Sequence, residues 1–227
     1  MKTVAVVIPA KDEEATIGEL LDGISKVVVD GHTLQPIVVD DGSLDRTAAI
    51  ARERGATVVT HRRNRGLGAA VRTGLRAAVE TGADAVAYLD ADLEYSPADI
   101  PRLLEPVLAG RADYVLGSRF LGGVRGMRLY RRVGNHAFTA LLSALTGRRI
   151  TDGQTGMRAF SRKAAEKAEI VHDYNYAQVL TLDLLRKGFR LEEVPIRYQV
   201  RRHGESFIRW SYPAKVLPAI WREMRSP

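Results

Sequence analysis

Cysteine is absent from the chain. That excludes disulfides and thiolate metal sites and fits a reducing compartment. No apolar run approaches the ~18 residues of a membrane-spanning helix. Met1-Lys2-Thr3 leads straight into a strand pattern, so no leader peptide is expected. His32, His61, His136, His172 and His203 share no metal-ligand spacing and read as surface or core residues. A GxxxxGK[ST] loop is missing, and no GxGxxG follows the first strand, which argues against P-loop hydrolysis and nicotinamide chemistry. Internal repeats and low-complexity linkers are also lacking. The length of 227 residues suits one large domain, or a domain with an appendage. Acidic charge is in deficit: 27 Asp and Glu face 34 Lys and Arg, a formal net charge of +7. An excess of that sign calls for an anionic partner: nucleic acid, a phosphorylated substrate or a membrane surface.

What is present alternates. "TVAVVIP" (3–9) is a continuous β-branched run and reads as a buried parallel strand. A helical pattern runs from Glu13 to Val28, with Ile17, Leu20, Leu21 and Ile24 on one face. "PIVVDD" (36–41) is a second strand. "SLDRTAAIARERG" (43–55) is a helix with Ser43 as N-cap, Asp45 in its first turn and Gly55 as its stop. "ATVVTH" (56–61), "ADAVAYLD" (83–90) and "ADYVLGSR" (112–119) are further strands, and 66–82 is a helix opened by glycines. Ser96 caps another helix, with Pro97 first and Asp99 third in a near capping box. Strands alternating with helices at this spacing predict an α/β fold with a mostly parallel sheet flanked by helices. After Arg119 the rhythm changes: a Gly/Arg-rich loop (119–128), a helix over 131–146, the short segment "DGQTGMRAF" (152–160), a helix over 175–187 and an alternating strand over 190–200.

In an open α/β sheet, ligands bind beyond the carboxyl ends of the strands. The acids fall there. Glu13 follows the first strand, Asp40 and Asp41 end the second, and Asp90, Asp92 and Glu94 end the fourth. Helix capping accounts for Asp45 and Asp99. It does not account for two acids at i and i+2 after a buried strand, so Asp90 and Asp92 are expected to hold a metal or ligand. Hard oxygen donors without His or Cys suit Mg²⁺ or Mn²⁺, which keep several waters and bind substrate phosphates through few carboxylates. "NRGLGAAVRTG" (64–74) puts glycines at a helix start. Phosphate binding by their N–H groups and close helix–strand packing explain them equally well.

"VVIPAKDEEATI", "IVVDDGSLDRT", "NRGLGAAVRTGL", "YLDADLEYSP", "VLGSRF" and "DGQTGMRAF" resemble, in that order, the motifs of family 2 glycosyltransferases of the GT-A (Rossmann-like) fold. The branch that makes polyprenyl-phosphate sugars, such as dolichol-phosphate mannose synthases, is the most similar. The resemblance covers 3–200 and implies the following. Pro9, Ala10 and Glu13 line the nucleotide pocket, with Asp40 on base or ribose and Asp41 beside it. Asp90, Asp92 and Glu94 surround the divalent ion on the sugar-nucleotide diphosphate. Arg119, Arg131, Arg132 and Arg202 meet the acceptor phosphate, and Asp152 and Gln154 position sugar and acceptor. Asp92, Asp152 and Arg119 form the catalytic set.

The implied activity is metal-dependent, inverting transfer of a hexose from a nucleoside-diphosphate sugar to a polyprenyl or dolichyl phosphate, with GDP-mannose favoured. One alternative is UDP-glucose-dependent glucosylation of the same acceptor. Another is a hydroxyl acceptor, for which Asp152 would be the general base. A phosphate monoester, with its second pKa near ~6, needs cations rather than a base. The arginines 119, 125, 128, 131, 132, 201 and 202 favour it. A nucleic-acid partner is not expected, because the acidic strand ends repel it. Residues 1–200 are expected to form the transferase domain with its acceptor-side elements, and 201–227 a basic, aromatic tail. The tail carries Phe207, Trp210, Tyr212 and Trp221 and suits an anionic membrane surface. The expected location is cytoplasmic and peripheral to the membrane.

Overall fold

The computed structural model describes residues 2–124, 126–173 and 176–200. The expected tail at 201–227, including Arg202, lies outside them. Seven strands form one sheet: β1 (Lys2–Ala10), β2 (His32–Asp40), β3 (Thr57–Thr60), β4 (Ala85–Leu89), β5 (Tyr114–Ser118), β6 (Met157–Ser161) and β7 (Leu191–Pro195). Their order is β3-β2-β1-β4-β6-β5-β7. β1 is parallel to β2 and β4, β2 to β3 and β5 to β7, whereas β6 runs antiparallel to both β4 and β5. The mostly parallel α/β sheet expected from the alternation is therefore present. β6 is an addition, because "DGQTGMRAF" reads as a connecting segment when taken alone.

Eight helices flank the sheet among the described residues: α1 (Ile17–Ile24), α2 (Thr47–Glu53), α3 (Leu67–Glu80), α4 (Ile100–Leu108), α5 (Arg119–Gly122), α6 (Leu129–Thr146), α7 (Arg162–Lys167) and α8 (Ala177–Arg186). The pleat splits β1 between two cores. Val4, Val6 and Ile8 pack with α1 and α4 on one face, and Ala5 and Val7 with α3 and α8 on the other. No helix among the described residues is long and apolar enough to cross a membrane.

Several element starts move inward from the sequence pattern. α1 begins at Ile17 rather than Glu13, and α2 at Thr47 rather than Ser43, because residues 12–14 and 43–47 bind each other instead of coiling. The Asp12 N–H donates to Ser43 Oγ (2.9 Å), Glu13 N–H to Thr47 Oγ1 (2.8 Å) and Glu14 N–H to Asp45 Oδ2 (3.1 Å). Ser43 thus ties two loops together and caps no helix. Asp45 precedes α2 and takes the Thr47 N–H at 2.9 Å. Asp99 closes a 3₁₀ turn (Pro97–Asp99), but its buried carboxylate accepts from the Arg197 N–H (2.7 Å) and guanidinium instead of completing a capping box. The glycines of α3 serve packing: a Cβ at Gly74 would lie 2.3 Å from Val7 Cγ1.

Candidate active site

The parallel strands end in line. Ala10 pairs with Asp40 and Asp40 with Thr60. Backbone bonds extend that line: Asp41 N–H donates to Ala10 O and His61 N–H to Asp40 O, both at 2.9 Å. Pro9, Ala10, Asp40 and Asp41 are therefore brought together, all buried. Asp40 Oδ1 accepts the Ser43 N–H at 2.9 Å. Asp41 is occupied more fully. Its Oδ1 takes the Arg65 N–H (2.8 Å) and His61 Nδ1 (2.7 Å), and its Oδ2 takes the Gly66 N–H (2.8 Å). Asp41 organises the loop before α3. Gly68 N–H is spent on Asp173 O (2.8 Å), so the glycine signal at this helix start resolves to packing and loop closure. Glu13 is half-buried, and its Oε2 accepts the Thr16 hydroxyl at 2.8 Å.

Three carboxylates follow the end of β4. Tyr88 Oη–H donates to Asp90 Oδ1 at 2.6 Å. Asp92 Oδ1 accepts the Glu94 N–H at 3.0 Å. Glu94 Oε1 lies 3.4 Å from Arg131 Nη1. Burial, then the neighbouring Asp92, push the Glu94 carboxyl above its usual range, against the pull of Arg131 and Arg119. Among the described residues no three His, Asp or Glu side chains converge as an ion-holding group. A methyl group at Gly156 would sit 1.8 Å from Asp90 Oδ2. Gly156→Ala is therefore expected to displace that carboxylate and lower kcat/KM by about tenfold or more, read by steady-state kinetics, since an ångström-scale misplacement costs up to ~10²-fold.

The far half of the edge is built from β5, β6 and β7. Leu116 pairs with Arg158 and Leu89 with Met157, so residues 152–156 arrive beside the ends of β4 and β5. Asp152 is wholly buried and grips Arg119 twice, Nε to Oδ2 at 2.7 Å and Nη2 to Oδ1 at 2.8 Å. It also takes the Arg119 N–H at 3.0 Å. Glu193, which sequence reasoning missed, accepts the N–H groups of Thr151 and Asp152 at 2.8 to 3.0 Å. Tyr95 Oη takes the Gly156 N–H at 2.8 Å. Gln154 is half-buried, Arg131 half-buried and Arg132 exposed. Arg158, also missed, is completely buried behind this loop. Its one sequence signal is a charge inside the apolar run of "MRAF".

A doubly wound sheet with carboxylates at the ends of β2 and β4 and a buried arginine after β5 has the architecture of the GT-A fold. The chain belongs to glycosyl transferase family 2, whose family model matches residues 5–168. It is 34% identical over 202 residues to the dolichyl-phosphate hexose transferase of Haloferax volcanii, covering 89% of this chain and 85% of that one. It is 32% identical over 213 residues to the polyprenol monophosphomannose synthase of Mycolicibacterium smegmatis, covering 88% and 79%. Among solved structures it resembles glucosyl-3-phosphoglycerate synthase from Mycobacterium tuberculosis in complex with Mn²⁺, UDP and glucosyl-3-phosphoglycerate. The TM-score is 0.78, with 27% identity, covering 100% of this chain and 81% of that one.

Proposed function

We propose that this protein transfers a hexose, with mannose favoured, from a nucleoside-diphosphate sugar to a polyprenyl phosphate, inverting the anomeric centre. The observation that carries the reading is the Arg119–Asp152 pair. A hydroxyl acceptor needs a general base, and the carboxylate expected to serve is fully buried with both oxygens on a guanidinium. A phosphate acceptor is already largely ionised at neutral pH and needs cations only. The charge distribution agrees. Residues 114–151 contain seven arginines and no acid, a local excess equal to the chain's formal +7. Names of relatives support the acceptor class; UDP in the structural neighbour leaves the base to experiment.

Mg²⁺ or Mn²⁺ fits the donor set: hard carboxylate oxygens of Asp90 and Asp92 at one edge, too few to complete a cage without diphosphate oxygens and water. When bound, the ion supplies Lewis-acid stabilisation of the leaving diphosphate. The chain does the rest. Asp40, held by the Ser43 N–H, faces base or ribose beside Pro9, Ala10 and Glu13. Asp90 and Asp92, with Glu94 beside them, would hold the ion that neutralises the diphosphate end. Arg119 is fixed by Asp152, and with Arg131 it binds the acceptor phosphate and orients it for in-line attack. Arg132 extends that cationic surface, and Gln154 is the loop residue offered to the sugar.

The acceptor side is also shaped for a lipid surface. Leu121, Leu129, Tyr130 and Val133 are exposed on α5 and α6, interleaved with exposed Arg128 and Arg132. Apolar groups interleaved with cations match an anionic bilayer and support a peripheral position at the cytoplasmic membrane face. The second reading, a hydroxyl acceptor, rests on the likeness to glucosyl-3-phosphoglycerate synthase. A donor panel of GDP-mannose, UDP-glucose and their relatives, with polyprenyl phosphate and Mn²⁺ or Mg²⁺, separates the cases. The expected result is a polyprenyl-phosphate hexose in the presence of metal only. If no donor is turned over or hydrolysed, the proposal fails; transfer to a soluble hydroxyl alone replaces it with the second reading.

A further inference from the structure

Arg158 stands inside β6 with no exposure to solvent. Among the described residues its hydrogen bonds all go to neutral oxygens. It donates to Thr155 O (3.1 Å), Gly153 O (3.2 Å), Ala177 O (3.1 Å) and Thr181 Oγ1 (3.3 Å), and to the Tyr114 hydroxyl. Among the described residues it forms no ion pair. A buried cation held only by dipoles costs more than an apolar side chain of the same volume. Filling the core therefore does not account for it, since leucine or methionine would do that.

What the guanidinium adds is position. Gly153 O and Thr155 O flank Gln154, so Arg158 grips the loop on both sides of that residue. Of residues 152–156, Gln154 alone is not buried. Toward the donor side, the Arg158 guanidinium lies 4.9 Å from the centre of the Tyr176 ring. Tyr176 meets Tyr88 edge-on, with ring centres 5.3 Å apart. Tyr88 in turn donates to Asp90 Oδ1 at 2.6 Å. One buried side chain thus touches the acceptor loop directly and the β4 carboxylate through two buried tyrosines. Rings packed at interior density hold their positions, because a displaced ring loses its contacts outright.

We propose that Arg158 is a positioning residue that sets the loop around Gln154 and, through Tyr176 and Tyr88, the orientation of Asp90 toward a metal-bound nucleoside diphosphate. This rests on the functional reading above. Two variants test it. Arg158→Lys keeps the charge but cannot bridge both carbonyls. Tyr88→Phe keeps the ring and loses only the hydroxyl. Titration calorimetry with UDP and with GDP, each with Mn²⁺, reads the donor side without turnover; kcat and the acceptor KM read the loop. Arg158→Lys is expected to weaken the Mn²⁺–nucleotide complex about 10- to 100-fold and to lower kcat by a similar factor, as loss of outer-sphere support typically does. Tyr88→Phe is expected to reproduce the donor-side loss with an unchanged acceptor KM. Folded variants that bind Mn²⁺ and nucleotide as the wild type does overturn the inference. If Arg158→Lys fails to fold, wild-type binding by Tyr88→Phe overturns it equally. A wild type that binds neither nucleotide sinks the functional reading and this inference together, whereas equal binding by wild type and variants sinks this inference alone.

Discussion

Asp92→Asn is expected to lower kcat about 10³-fold while the melting temperature stays close to that of the wild type. The asparagine keeps an Oδ1 in the place where Asp92 accepts the Glu94 N–H at 3.0 Å, so the loop after β4 retains its bond. What is lost is the negative charge on the donor edge. A divalent ion contributes several kcal/mol to stabilising a leaving diphosphate, and each ~1.4 kcal/mol is a factor of ten in rate. Steady-state assays with saturating donor and a Mn²⁺ series measure the effect. Chelation should abolish wild-type turnover, and added Mn²⁺ should restore it in the wild type but not in the variant. A variant that keeps more than about a tenth of wild-type kcat removes Asp92 from the machinery.

Arg119→Met should destabilise the fold by about 3–5 kcal/mol, the usual result of stranding one member of a buried ion pair. The partner left behind is Asp152, whose side chain has no exposure, while that of Arg119 has 3%. Denaturant unfolding measures the loss. Adding Asp152→Leu should recover much of it, because apolar replacements of a buried pair are often neutral or better. Recovery stays incomplete, since the Arg119 N–H then loses its acceptor. Activity should not return in the double variant, because the proposed acceptor phosphate would still lack its guanidinium. Recovered stability with recovered turnover would assign the pair to folding alone. A loss below about 1 kcal/mol in the single variant would mean that the pair behaves like an exposed one.

The strand ends were readable before any fold was known. Apolar runs that stop at Asp40 and at Asp90 mark a ligand edge, because period and composition are local properties of the chain. Element starts were less readable. Glu13 and Ser43 looked like helix beginnings, but each loop found partners some 30 residues away, such as Asp12 with Ser43 across 31 positions. β6 escaped for a similar reason. Five residues with an arginine among them carry no clear period, and only pairing with β4 and β5 makes them a strand.

Sequence alone therefore determined the alternating α/β order, the acids at the carboxyl edge and the arginines that gather after 119. Each depends on neighbours a few residues apart. Tertiary structure decided which charges the protein keeps for itself. Asp41 is taken by His61 across 20 positions, Asp152 by Arg119 across 33 and Asp99 by Arg197 across 98. Glu94 and Asp90 remain beside the edge in different company. Whether a carboxylate is a ligand, a base or a brace depends on burial and on hydrogen-bond partners. Both come from parts of the chain that only the fold brings together.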